Sequence, residues 1–258
     1  MKDARSGPGR LLPVLTALIV TLVAADVVLR GIPRAHRAPA APVTSGPRAD
    51  SLSVSTAGGT LTSAGAASRK AETWRRLAEE GANTYLVAML PQVDSAIRRW
   101  PDDRFARPLR VTAVRGGAGF REEFVGAIAW AVEQWNGAQL PLQMDFRGSD
   151  SSAADITVRW VTALDSERTG KADITWDQHQ AIRRVAVTLA THAPDGRTLT
   201  DAEMRALALH ELGHAIGLAH STDPHDALYP TTRVTELSER DRATARLLYE
   251  LPVGSLRN

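Results

Sequence analysis

Residues 210 to 220 read His-Glu-Leu-Gly-His-Ala-Ile-Gly-Leu-Ala-His. His210 and His214 lie four positions apart, so on a helix their imidazoles project from one face and can reach a single metal ion. Glu211, one position on, can aim its carboxylate at a water on that ion and act as a general base. A continuing helix would carry residue 220 away from the pair. The chain must therefore turn back, and Gly217 supplies a residue able to adopt positive φ where the helix ends, so that His220 can complete a three-nitrogen site. In a chain of this composition the five-residue His-Glu-x-x-His pattern arises by chance roughly once in a hundred sequences, and the fixed Gly and third His lower that to about 2 in 100,000. An apolar helix whose histidines align with no metal would bury three imidazoles and a carboxylate without compensation.

The composition narrows the chemistry further. The chain has 258 residues and no cysteine, which removes thiol nucleophiles, thiolate-held zinc, iron–sulfur clusters and disulfides, so any metal must be held by His, Asp or Glu. The formal net charge is +2. The first 50 residues alone contribute +4 and the remainder −2, so the folded part carries no basic footprint for nucleic acid. No G-x-G-x-x-G or phosphate-loop sequence occurs, and Ser166 and Ser221 have no nucleophile context. His179 and His192 are too isolated to imply a second metal. Asp223, His225 and Asp226 follow the third histidine and read first as a solvated polar loop, second as an ion site or a support for His220.

The elements that must position these residues follow from the hydrophobic pattern. Residues 11 to 25 (LLPVLTALIVTLVAA) are uncharged and follow a basic leader, the layout of an export signal. Small residues precede Asp26, and the apolar stretch can also be read to Leu29 as a membrane anchor. Residues 1–30 are thus expected to be a signal peptide or anchor, with the protein exported and either membrane-attached or secreted into the periplasm or beyond. Residues 31–70, rich in Ala, Pro, Ser, Gly and Thr, read as a linker. Residues 71–105 read as a helical extension of two short helices, broken at Pro91 and ended by Pro101. It is expected to pack an apolar face containing Trp74 and Leu77 against the next domain, with a lid or pro-segment as the alternatives. Residues 106–254 form the main domain. A strand is expected at 108–114, then a helix over 120–137 with Phe124, Ile128, Ala131, Val132 and Trp135 on one face. Strands follow at 142–146, 155–161, 172–176 and 185–190, then a helix capped by Thr200 or Asp201 and a last helix over 238–251.

HELGHAIGLAH resembles the extended zinc motif of the metzincin metallopeptidases, and the continuation HSTDPHDALYP is similar to the matrixin branch in its short bacterial forms, over residues 100 to 250. The resemblance implies an α/β (α+β) zincin fold: a mixed, mostly parallel twisted sheet packed on two long helices with a C-terminal helix. It implies one catalytic Zn²⁺ on His210, His214 and His220, Glu211 as catalytic base and a peptide or protein substrate. It also places the substrate along an edge strand at 185–190, with backbone hydrogen bonds from Leu189 and Ala190, and gives Tyr229, Pro230 and the next two threonines as the wall of the pocket beyond the cut. The family carries a Met in the turn beneath the metal. Here that place is Leu228, of similar volume, so the apolar floor is expected to persist. No Asp/Gly cluster matches the structural zinc and calcium loops of animal matrixins, which leaves Ca²⁺ open. A monomeric zinc metalloendopeptidase is the leading expectation, and a non-catalytic zinc module that binds peptide or a partner is the competing one.

Overall fold

Alternation of apolar and polar residues builds the strands of a sheet whose buried face carries Leu109, Val111, Ile156, Val158, Ala172, Ile174, Val185 and Val187. The computed structural model describes residues 26–31, 63–147, 153–165, 168–231 and 233–257. Within it the strands are β1 (Asp26–Gly31), β2 (Ala96–Ile97), β3 (Leu109–Ala113), β4 (Met144–Phe146), β5 (Ile156–Val161), β6 (Gly170–Trp176), β7 (Ile182–Ala190) and β8 (Gly254–Ser255). The helices are α1 (Ser63–Glu80), α2 (Leu86–Met89), α3 (Val125–Asn136), α4 (Asp201–Ala215) and α5 (Glu239–Glu250).

Five strands of the domain form a mixed, mostly parallel sheet in the order β6-β7-β5-β3-β4, and β1 pairs in parallel outside β6. Only β6 runs antiparallel to its neighbour β7. The reversal is made at residues 177–180. There Asp177 accepts the backbone N–H groups of His179 and Ala181, and Gln180 adopts a left-handed φ of 71°. Helices α3 and α4 lie side by side on the sheet, α4 against β6 and β7, and α3 against β4. Trp135 joins them by donating its indole N–H to Leu209 O at 2.9 Å. This is the α/β architecture expected from the sequence, with α5 as the C-terminal helix.

Several expected elements shift. The first helix begins at Ser63, so the last eight residues of the stretch read as linker are helical. Its buried positions are Thr73 and Leu77, while Trp74 stays 42% exposed. Tertiary contacts therefore choose a different face from the one its aromatic residue advertises. Beyond α1 the extension is not a pair of helices but α2, 3₁₀ turns over Gly81–Asn83, Leu90–Val93 and Asp102–Arg104, and the short strand β2, paired antiparallel with β8. The apolar segment 11–25 and the linker from 32 to 62 lie outside the described residues. Among the described residues no helix is long and apolar enough to cross a membrane.

The extension is stitched into the domain. Tyr85 donates its hydroxyl to Asp241 at 3.0 Å and its backbone N–H to Thr244 at 3.1 Å, both on α5. Arg99 donates to Leu251 O at 3.0 Å, and the fully buried Trp100 donates to Ala215 O at 2.9 Å. Burying Tyr85, Leu86, Met89, Ile97 and Trp100 in the common core stabilises each by about 1.5–3 kcal/mol. These contacts bind the extension into the core of the domain. A chain cut back to residues 106–258 is therefore expected to lose its cooperative urea unfolding transition, as measured by tryptophan fluorescence. A sharp transition near that of the full chain would show that the extension is dispensable.

Candidate metal centre

Helix α4 opens with a reciprocal cap: Thr200 accepts from Glu203 N, and Glu203 accepts from Thr200 N at 2.9 Å. Fifteen residues later the helix ends at Ala215, leaving His210 and His214 on its last two turns. Gly217 then takes φ +107°, and a Cβ there would sit 2.3 Å from Arg98 O, so glycine is required both by conformation and by space. The reversal brings His220 back. Ligand-capable nitrogens of His210, His214 and His220 all lie within 4.8 Å of one another, the only such His/Asp/Glu group among the described residues.

The hydrogen bonds fix the tautomers. His210 Nδ1 lies 2.8 Å from Ala227 O, and His214 Nδ1 lies 2.8 Å from Leu218 O. A carbonyl can only accept, so each Nδ1 carries the proton and each Nε2 presents a lone pair. Those two Nε2 atoms are 3.0 Å apart. Two lone pairs at that distance repel unless a cation lies between them, which is the arrangement that imidazole ligands of one metal require. Burial, with His220 nearby, holds His210 down at about 3, and burial pushes His214 well below the usual histidine value, so neither ring is protonated near neutral pH. A donor set of three imidazoles, two of them held neutral, fits zinc.

Glu211 lies on α4, directly after the first of the three histidines. It is fully buried, and neither carboxyl oxygen has a hydrogen-bond partner. Burial alone pushes its pKa well up, and a divalent cation among the histidines would oppose that shift. The strand beside it approaches closely: a Cβ on Gly170 would lie 2.1 Å from Glu211 Oε1 and 2.7 Å from Leu207 Cδ1. Below α4, a Cβ on Gly213 would lie 2.7 Å from Leu228 Cδ2 and 2.8 Å from Trp135 Cζ2, so Leu228 and Trp135 form the floor on which the ligand helix rests.

The loop between His220 and α5 is fixed by carboxylates. Asp241 accepts from Ala227 N at 2.8 Å and Ser238 N at 2.9 Å, and Asp226 accepts from the hydroxyls of Ser238, at 2.7 Å, and Ser221. Asp226 is thus a buried structural anchor rather than part of a solvated loop, while His225 is exposed and bonds Asp223. His192 lies against Thr191 and Thr198, and His179 is exposed beside Gln178. Tyr229 and Pro230 follow Leu228 directly and are half-buried; residue 232 lies outside the described residues.

One expectation is corrected. Leu189 and Ala190 do not lie on an edge strand, because β7 is paired with β5 on one side and β6 on the other. The strand beside Glu211 on the outer side of the domain is β6. Alternation marks a strand but not its neighbours, and the hairpin folds the earlier strand outside the later one. Sequence reasoning also missed Gly170, whose position before an alternating run beginning at Lys171 was the available signal, and Gln92, for which no local signal exists.

A family model described as matrixin, a peptidase family, matches residues 119–250, just over half of the chain. No curated protein matches the chain.

The close approach of β6 to Glu211 makes a contrast between two glycines informative. Gly170→Ala is expected to lower the free energy of unfolding by about 1–3 kcal/mol, because carboxyl and strand must separate. Gly126→Ala, on an exposed helical position with nothing within 4 Å of the added methyl, is expected to raise it by about 0.5–1 kcal/mol. Urea titration of the two variants measures both, and equal effects would refute the crowding at Gly170.

Proposed function

The chain belongs to the matrixin family of zinc-dependent peptidases, and from that premise we propose that it is a zinc metalloendopeptidase with Glu211 as general base. The observation that carries the reading is the pairing of two imidazole lone pairs 3.0 Å apart with a buried, unpartnered carboxyl from the intervening residue. Neither feature is stable as a packing arrangement alone.

His210, His214 and His220 hold the metal in this reading. Zinc, when bound, polarises the scissile carbonyl and lowers the pKa of water to about 7. Glu211 takes the proton of that water as its oxygen adds to the carbonyl carbon, then delivers the proton to the departing amine nitrogen as the C–N bond breaks. Its place in a site closed off by β6, Leu207 and the α4 backbone keeps it from being levelled by solvent.

The substrate lies extended, adding its backbone to the outer side of β6. That is the side on which β1 (Asp26–Gly31) pairs in parallel, so peptide and β1 compete for the same hydrogen-bonding groups. Tyr229 and Pro230 wall the pocket on the leaving-group side. Residues 11–25 act as an export signal or anchor that carries the domain out of the cytoplasm; that segment stops short of Leu29, because Asp26–Gly31 pair with β6.

Zinc content and cleavage of a quenched peptide library, measured on the full-length chain and on Glu211→Gln, test the reading. One zinc per chain is expected in both, with kcat/KM reduced about 10²–10⁴-fold in the variant. Stoichiometric zinc without cleavage by the parent would favour the non-catalytic zinc module, and absence of zinc would sink the site.

A further inference from the structure

The turn that carries His220 back to its partners is held in part by residues that precede the matched family segment. His220 donates its backbone N–H to Gln92 Oε1 at 3.1 Å, and Gln92 Nε2 donates to His220 O at 3.0 Å. One primary amide thus satisfies both backbone groups of one residue, as a neighbouring strand would. Next to it, Ala219 N donates to Met89 Sδ at 3.4 Å, and Trp100 holds Ala215 O where the turn begins.

The three histidines differ in what fixes them. His210 and His214 ride on a helix whose own hydrogen bonds set their spacing. His220 hangs on a reversal, and its Cα–Cβ direction is free to swing unless its backbone is restrained. A ligand that must be ordered at the moment of binding weakens affinity, and one already in place does not. The amide of Gln92 stands on the 3₁₀ turn Leu90–Val93, is anchored by the buried Leu90 and Val93 on either side, and makes the restraint.

We propose that Gln92 is a positioning residue that holds His220 in register with His210 and His214, so that the metal centre extends to a residue outside the matched segment 119–250. The inference rests on the zinc reading above. Gln92 is exposed, so water competes for both bonds, and its removal acts more weakly than loss of a partner that orients an imidazole ring, which costs 10–100-fold in metal affinity.

The test uses the full-length chain, with zinc affinity measured by chelator competition and the cobalt-substituted protein by visible absorption. Gln92→Ala is expected to weaken zinc binding roughly three- to tenfold and to alter the cobalt spectrum, with the urea midpoint of the metal-free form unchanged. Gln92→Met, which keeps the side-chain length and removes both bonds, is expected to behave in the same way. In a His220→Ala background, Gln92→Ala should cause no further loss of affinity, because its effect passes through His220. Unchanged affinity in both Gln92 variants, or an equal loss with His220 already removed, would overturn the proposal while leaving the zinc reading intact. A parent chain that binds no zinc would overturn both.

Discussion

Everything in this protein that concerns chemistry depends on a chain reversal of five residues. Helix α4 can present two histidines by periodicity alone, but a third nitrogen must come from chain that has turned back, and turning back at the end of a buried helix exposes backbone groups where no water can reach them. Four of these groups have partners close by. Ala215 O is taken by Trp100, Ile216 O by Tyr249, Leu218 N by Gly213 O, and Leu218 O by His214 itself. The last of these serves twice, closing the turn and fixing the tautomer of a ligand. The reversal and the ligand set are therefore one hydrogen-bond system, and the N-terminal extension belongs to it.

Burial sets the electrostatics of the same region. Neutral imidazoles tolerate a low-dielectric site and a carboxylate does not, so without a cation the centre stores opposed preferences: histidines held unprotonated and a glutamate driven toward its neutral form. A divalent ion held by the three histidines would take their lone pairs and oppose the upward shift of the carboxyl. Asp241, buried and accepting two backbone N–H groups beside the Tyr85 hydroxyl, is also pushed up by burial, but there fixed donors oppose the shift. It holds Ala227, whose carbonyl orients His210.

The sequence made the centre legible because its residues are close together in the chain: His210 to His220 is a local pattern, and so is the cap of α4. Element types were legible for the same reason, since α3 and β5 each carry a clear period. Lateral arrangement was not. Both 172–176 and 185–190 alternate, and nothing local says which lies outside the other; that is decided by a hairpin at Asp177 whose strand β6 must reach Glu211. Nor did Trp74 reveal that Thr73 and Leu77 form the buried face of α1. Gln92 lies 128 positions from His220, and a relation at that separation leaves no trace in periodicity or composition.

Leu228 raises the question of what the floor of the centre must provide. The resemblance places a methionine there, yet the side chain is no ligand. It is fully buried and meets the backbone of α4 at Gly213, where even a methyl group would lie 2.7 Å from it. What that contact needs is an apolar group of fixed volume beneath a glycine, so that the helix settles at the depth where His210 Nδ1 reaches Ala227 O. Sulfur contributes polarisability and flexibility, neither of which the geometry uses. Leucine, stiffer and of similar volume, meets the same requirement, provided Gly213 remains without a side chain. The demand for constancy therefore falls on the glycines at 170, 213 and 217, where the backbone must pass within reach of a carboxyl, a floor and a neighbouring carbonyl, more than on the residue that forms the floor.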